Sequence, residues 1–231
     1  MQLSKRLTAV AAMVTPSFRL VDVGTDHAYV PIYLAEQGRI PAAIAMDVNQ
    51  GPLSRARENI ASHQLDAYIE TRLSDGLSSL RAGEGDSLLI AGMGGGLTIR
   101  ILSEGRSLLP GFSELILEPQ SDVDRVRFWL FQNSFHIAEE DFVEEDGKYY
   151  PIIRAVPGEK GEMPSGEELL YGPVLLAKRH PVLKEFLLRE ESLVQGLLGQ
   201  LLKTESEKAR MRMEELRKKE EWIRRALAYY Q

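Results

Sequence analysis

Leu20-Val21-Asp22-Val23-Gly24-Thr25-Asp26-His27-Ala28-Tyr29 is the stretch that decides the fold. A Val-rich apolar run carries an acidic residue two positions before a glycine. After the turn, the segment from Tyr29 to Gln37 has the apolar spacing of a helix. Strand, loop and helix in this order open a doubly wound α/β sheet, in which ligands sit at the carboxyl ends of the strands. The loop is not a dinucleotide fingerprint. A G-x-G-x-x-G motif needs further glycines after Gly24, and this loop offers Asp26 and Ala28 instead.

Outward from this unit, strand-like and helix-like segments alternate. Leu3, Leu7, Val10 and Val14 share one face of a short opening helix. Residues 42–48 form a second buried strand ending in Asp47, and Pro52 sits near the start of a helix that runs to about His63. Strands are expected over 69–73 and 87–93. The run Gly94-Gly95-Gly96 then turns the chain into a helix that reaches about Leu108. A fifth strand over 114–117 is stopped by Pro119, and Ser121 or Asp122 caps a helix through Trp129 to Asn133. Residues 137–143 and 149–155 pair as a hairpin about Asp146-Gly147. The expected fold is α/β, a Rossmann-like doubly wound sheet of the class I methyltransferase type, mostly parallel with a C-terminal antiparallel hairpin.

The chain changes character after Pro157. Residues 157–166 are rich in Gly, Pro and Glu and read as a linker. This places one domain over 1–160 and a second over 167–231. From Pro181 the sequence is helical to its end. One apolar stripe holds Leu183, Leu187, Val194, Leu197, Leu198, Leu201 and Leu202; another holds Leu216, Ile223, Leu227 and Tyr230. The apolar-free segment from Lys203 to Lys208 between them favours two helices folded back as a hairpin over one rod. A dimeric coiled coil competes with that account, and monomer and weak dimer both stay open.

Composition narrows the function. A net charge of -6 hides an asymmetry: residues 1–166 carry 15 basic and 23 acidic side chains, whereas residues 167–231 carry 13 and 11. The tail is therefore the better place to look for a polyanion, although a solvated helical surface explains the same balance. The absence of cysteine excludes disulfides, thiolate metal sites and cysteine nucleophiles, and fits a reducing cytoplasm. The scattered His63, His136 and His180 lack metal-ligand spacing, so no metal is expected. Lys5-Arg6 and the apolar stretch after it only faintly mimic a signal peptide, and no segment reaches the length of a membrane span.

Without pyrophosphate-binding glycines, S-adenosylmethionine is the leading cofactor for such a sheet. Gly24 removes the Cβ that would block close approach of its amino-acid end, with Asp22 beside it. Asp47, followed by Val48, is placed to accept hydrogen bonds from both ribose hydroxyls, though NAD enzymes keep an acid at a similar spacing. Asp75 and Gly76 stand where an adenine amino group is often bound, and also read as an ordinary turn pair. Ala91-Gly92-Met93-Gly94 follows the fourth strand, where a target base would meet the methyl group. Arg6, on the polar flank of the opening helix, either pairs with the cofactor carboxylate or is solvated. Tyr29 is a wall for a flipped base or a packing residue. Trp129 and Trp222 read most simply as helix-packing residues.

The segments Asp22 to Pro31, Ile90 to Gly95, Trp129-Leu130 and Glu144 to Tyr150, with the helical tail, resemble the bacterial tRNA adenine-22 N1-methyltransferases over nearly the whole chain. Glu118-Pro119-Gln120 departs from the Gln-Pro-Asn of that family. The resemblance implies S-adenosylmethionine as donor, tRNA as acceptor and a coiled-coil tail. On that reading Asp26, where class I methyltransferases usually keep a glycine, and His27, Tyr29, Met93 and Gly94 are the catalytic candidates. Arg6, Asp22, Gly24, Asp26, His27, Asp47, Val48, Asp75, Gly76, Ala91 and Gly92 are the candidates for holding the cofactor. A NAD-linked oxidoreductase and a non-catalytic RNA-binding adaptor are the competing classes.

Overall fold

The structure is a computed structural model and describes residues 1–159, 161–202 and 206–231. Two compact units divide the chain, Met1–Glu162 and Met163–Gln231.

The first unit alternates helices and strands: α1 (Lys5–Met13), β1 (Leu20–Val23), α2 (Tyr29–Glu36), β2 (Ala43–Asp47), α3 (Gln50–Ser62), β3 (Ile69–Leu73), β4 (Ser87–Met93), α4 (Gly95–Glu104), β5 (Glu114–Pro119), α5 (Val123–Gln132), β6 (Phe135–Glu145) and β7 (Lys148–Pro157). The sheet order is β3-β2-β1-β4-β5-β7-β6. The strands β1 to β5 run parallel, and β7 is antiparallel to both β5 and β6. The order reverses between β1 and β4, which creates a crevice at their carboxyl ends.

Each inner strand is buried on both faces, so its residues alternate between two cores. Leu20, Ala43, Ala45, Leu89 and Ile116 pack with α1, α2 and α3. Val21, Val23, Ile44, Met46, Leu88, Ile90, Leu115 and Leu117 pack with α4 and α5. By the same period of two, Asp22, Asp47 and Glu118 all fall on the α1–α3 face. Three buried acids thus converge at the carboxyl edge of one face of the sheet.

Several boundaries differ from the sequence reading. Helix α4 stops at Glu104 rather than about Leu108, and a 3-10 turn over Leu109–Gly111 follows. Gly105 is the C-cap of α4, donating its N–H to the Ile101 carbonyl at 3.0 Å, and a Cβ there would crowd Leu77. Strand β5 continues through Pro119, opposite the irregular end of β4 where the register shifts between Ala91 and Met93. A proline is tolerated at such a bulge because no ladder donor is required there. Asp122 is the N-cap of α5 by position, but its side chain makes no capping bond and instead accepts from Ser121 Oγ at 2.9 Å. Asp146 and Gly147 have φ of 52° and 75°, the two left-handed residues of a type I′ hairpin turn.

The second unit contains α6 (Gly166–Tyr171), α7 (Pro173–Ala177), α8 (Pro181–Leu201) and α9 (Glu207–Ala228). The two short helices fill the stretch between the expected linker and Pro181, for which the sequence indicates no element. Ser165 opens α6 with a reciprocal capping box to Glu168. Helices α8 and α9 lie antiparallel: Tyr230 Oη donates to the His180 carbonyl at 3.0 Å, and Lys219 pairs with Glu190. Leu183, Leu187 and Val194 are buried in this unit, as are Leu216, Ile223 and Ala226. Leu197 and Leu202, placed on the buried stripe by spacing, are exposed. Of the expected connecting segment, residues 203–205 lie outside the described residues, and Ser206 caps α9 by accepting from the Ala209 N–H. Among the described residues no helix is long and apolar enough to cross a membrane.

Candidate active site

At the crevice between β1 and β4 lies a cleft of about 330 Å³. Its walls bring together eight residues singled out in the sequence: Arg6, Asp22, Gly24, Asp26, His27, Tyr29, Ala91 and Gly92. Leu7, Thr25, Val30, Leu89 and Gln120 complete it. Met93 and Gly94, expected among the catalytic residues, lie outside this lining at the end of β4, as do Asp47, Val48, Asp75 and Gly76, further along the same sheet edge at the ends of β2 and β3.

The β1 loop is built around Gly24. Its φ of 78° is a left-handed conformation that favours glycine, and its N–H bonds to the Met46 carbonyl at 2.8 Å. Met93 closes over it from the neighbouring strand β4. Beneath the loop Asp22 is buried and accepts from Thr25 Oγ1 at 2.6 Å. Burial pushes its carboxyl up to about 7, against the pull of the Thr25 bond, and the nearby Asp47 charge adds to the rise. Asp47 is buried at the end of β2 and receives the Asn49 N–H at 2.8 Å.

Asp26 and Ala28 are both left-handed, with φ of 45° and 56°, a strained arrangement for non-glycine residues. The turn directs Asp26 Oδ1 to Arg55 on α3 at 2.5 Å and sets Oδ2 3.5 Å from His27 Nε2. The His27 ring stacks on Tyr29 with centroids 4.9 Å apart and planes 6° from parallel. Tyr29 remains 41% exposed, so it does not pack under the sheet.

Arg6 reaches the cleft from α1 and pairs through Nη1 with Glu118 Oε2 at 2.7 Å. The same oxygen accepts the Gly92 N–H at 2.9 Å. Glu118 is fully buried, and burial raises its carboxyl while Arg6 and the Gly92 N–H pull it back. The Arg6 guanidinium also lies 5.3 Å from the centroid of the Tyr150 ring. Sequence reasoning noted Glu118 as a family departure but not as a partner for Arg6. The available signal was its position, an acid at the end of an apolar strand as in β1 and β2.

The glycines after β4 divide in role. Gly95 donates its N–H to the Ser121 carbonyl at 3.0 Å, and a Cβ on it would stand 2.4 Å from that oxygen. A Cβ on Gly96 would meet nothing within 4 Å. Gly94, the N-cap of α4, presents its carbonyl to Thr98. Asp75 is exposed and pairs with Arg100 at 3.0 Å, while Gly76 has φ of 54° and is buried against Ile101.

A left-handed glycine loop, a buried acid under it and a second acid at the end of β2, on a sheet of order 3-2-1-4-5-7-6, define a class I methyltransferase. Comparison agrees: residues 3–153 match the methyltransferase domain family. The chain is 31% identical over 232 residues to the tRNA (adenine(22)-N(1))-methyltransferase of Bacillus subtilis, covering 98% of each. A crystal structure from Streptococcus pneumoniae, described as a putative tRNA (m1A22) methyltransferase in complex with S-adenosyl-L-methionine, is 35% identical. It matches 98% of this chain and 100% of its own with a TM-score of 0.87. The Mycoplasma capricolum TrmK structure in complex with S-adenosyl-homocysteine is 26% identical, covers 100% of both chains and has a TM-score of 0.85. The chain belongs to the tRNA (adenine(22)-N(1))-methyltransferase family.

The residues present suit the methyl donor. At Gly24 the loop carries no Cβ and faces only the movable end of Met93, and Asp22 and Asp47 are buried carboxylates of the kind that would meet a cationic amino acid and a ribose diol.

Proposed function

We infer that this chain is an S-adenosylmethionine-dependent methyltransferase that places a methyl group on N1 of adenine 22 in tRNA. The observation that carries the reading is the family relationship over the whole chain, second unit included, joined to a cleft at the switch point of the sheet.

S-adenosylmethionine supplies an electrophilic methyl group on a sulfonium centre. On the proposed assignment Gly24 cradles the amino-acid end of the donor, with Asp22 beneath it. Asp47, with Val48 beside it, receives the ribose hydroxyls, and the Asp75-Gly76 turn borders the adenine. Ala91 and Gly92 form the floor next to the reacting centre, and Arg6 is held there by Glu118. The stacked His27 and Tyr29 offer a flat wall for an extruded base, and the Met93-Gly94 backbone supports it from β4. Excluding water from this site strengthens every charge interaction in it.

The helical unit serves tRNA binding in this reading, as an antiparallel coiled coil of α8 and α9. Its charge is less available than composition implies. Arg212, Arg224 and Arg225 pair along α9 with Glu215, Glu220 and Glu221, and Lys219 pairs with Glu190. Arg210, Arg217 and Lys218 are exposed and make no ion pair among the described residues, so they are the cations assigned to phosphate. A cytoplasmic enzyme fits this substrate.

Methylation of unmodified tRNA with labelled donor, followed by nucleoside analysis, tests the reading. The expected product is 1-methyladenosine at position 22. A methylated nucleoside of another kind, or none, would overturn it.

A further inference from the structure

Asp26 and Arg55 form an ion pair at the mouth of the cleft, Oδ1 to Nη2 at 2.5 Å, with side chains 53% and 48% exposed. A pair so open to solvent is weak and easily exchanged. Arg6, by contrast, is held by a fully buried carboxylate. Arg72 is shared between Glu84 and Glu70, away from the cleft. Arg55 is paired to an acid that itself lines the cleft.

The surroundings give that pair two sides. Asn59, one turn beyond Arg55 on α3, donates to the His27 carbonyl at 3.0 Å and latches the strained loop to the same helix. Arg55 is on α3 and does not line the cleft, whereas Asp26 and the stacked His27 and Tyr29 do. A nucleotide whose base met that stack would have its phosphate free to reach Arg55 beyond the lining.

We propose that Arg55 is a phosphate-binding residue for the acceptor RNA, and that nucleotide entry exchanges the Asp26–Arg55 pair for Arg55–phosphate and Asp26–adenine contacts. This rests on the methyltransferase reading. In the transfer, the ring-nitrogen lone pair forms the new C–N bond and the C–S electron pair returns to sulfur, so positive charge passes to the adenine. Each half of the protein's pair is then matched by an opposite charge on the RNA. In free protein the two neutralise each other, which limits the non-productive attraction of either.

The test is a binding cycle on the full chain with R55Q, R55K, D26N and the D26N/R55Q double variant, using unmodified tRNA over a salt series. R55Q weakens tRNA binding about tenfold at low salt and lowers the slope of log affinity against log salt by about 0.7–0.9, one phosphate contact. R55K keeps the slope. D26N releases Arg55 but forfeits its own contact to adenine, so the decisive comparison is within that background: R55Q weakens tRNA binding and lowers the slope there as well. Cofactor affinity by calorimetry stays unchanged in R55Q. An unchanged affinity and slope in R55Q, or a loss that disappears in the D26N background, overturns the exchange and leaves Arg55 a tether for Asp26. A parallel fall in cofactor affinity also overturns it. Wild-type methylation of adenine 22 is the control: its absence sinks the methyltransferase reading itself, whatever the binding cycle shows.

Discussion

Met93 and Gly24 occupy one another's space: a Cβ built on Gly24 would stand 2.2 Å from the Met93 Cε. The loop after β1 and the end of β4 are thus packed together at Gly24. Two costs stand against a side chain at Gly24, its left-handed φ of 78° and the methionine above it. The methionine end can swing away, and the backbone cannot.

Gly24→Ala is therefore expected to cost about 1–2 kcal/mol of stability from the backbone and to weaken donor binding. Adding Met93→Ala relieves the contact but leaves the backbone cost. Denaturant unfolding of the single and double variants measures it. Full recovery in the double variant would make Met93, not the conformation, the reason for glycine.

Gly95 and Gly96 are expected to respond with opposite signs. A Cβ on Gly95 meets backbone oxygens of Ser121 and Asp122 at 2.4 and 2.8 Å, neither able to yield cheaply, so Gly95→Ala should destabilise by about 1–3 kcal/mol. Gly96 is exposed in the first turn of α4 with open space around it, and Gly96→Ala should stabilise by up to about 1 kcal/mol. Equal effects by thermal unfolding would refute this division.

Asp47→Ala tests the donor site. On the proposed assignment two ribose hydroxyls lose a charged acceptor, and hydrogen bonds to charged groups contribute roughly 1.5–3 kcal/mol. Donor affinity should fall about tenfold to a hundredfold. An unchanged dissociation constant by calorimetry would remove Asp47 from the site.

Much of this was legible in the sequence because it is local. The alternation of apolar strands and amphipathic helices, the Gly24 loop, and the acids Asp22 and Asp47 all follow from residues within one strand and its turn. Glu118 with Arg6 and Arg55 with Asp26 were not legible, since their partners are 112 and 29 residues away and only the folded sheet brings them together. Helices α6 and α7, of 6 and 5 residues, are too short to show a period, although Ser165 and Glu168 carry a capping-box signature. Leu197 and Leu202 fit an apolar stripe by spacing, yet the buried contacts of α8 end at Val194.

Asp22 should give the free protein a pH-dependent stability. Its carboxyl is raised from 3.8 to about 7 by burial, so between about 4 and 7 the folded state holds a proton that the unfolded chain releases. Stability therefore falls as pH rises through that window and levels above it. Asp22→Asn, which still accepts from Thr25, should flatten this limb. A positively charged donor favours the ionised carboxylate, so donor binding should release a proton near pH 6–7 and tighten as pH rises. Calorimetry in buffers of different ionisation heat measures the release, and none in the wild type would separate Asp22 from the donor.

The charge of the acceptor sets the last expectation. The N1 lone pair of adenine is its own nucleophile, so no general base is needed to expose it. The methylated ring becomes a cation, and a fixed carboxylate beside it lowers the energy of that developing charge, as a donor pair does for an oxyanion. Asp26 lines the cleft next to the His27–Tyr29 stack, in a left-handed conformation that costs about 1–3 kcal/mol. Asp26→Asn keeps the shape and removes the charge. Single-turnover methylation should slow by about a hundredfold or more while donor affinity barely moves. The rate loss should persist at saturating tRNA, because it belongs to the chemical step and not to binding. If donor affinity collapses and the rate at saturating donor survives, Asp26 belongs to the donor site, and stabilisation of the methylated ring must come from elsewhere in the cleft.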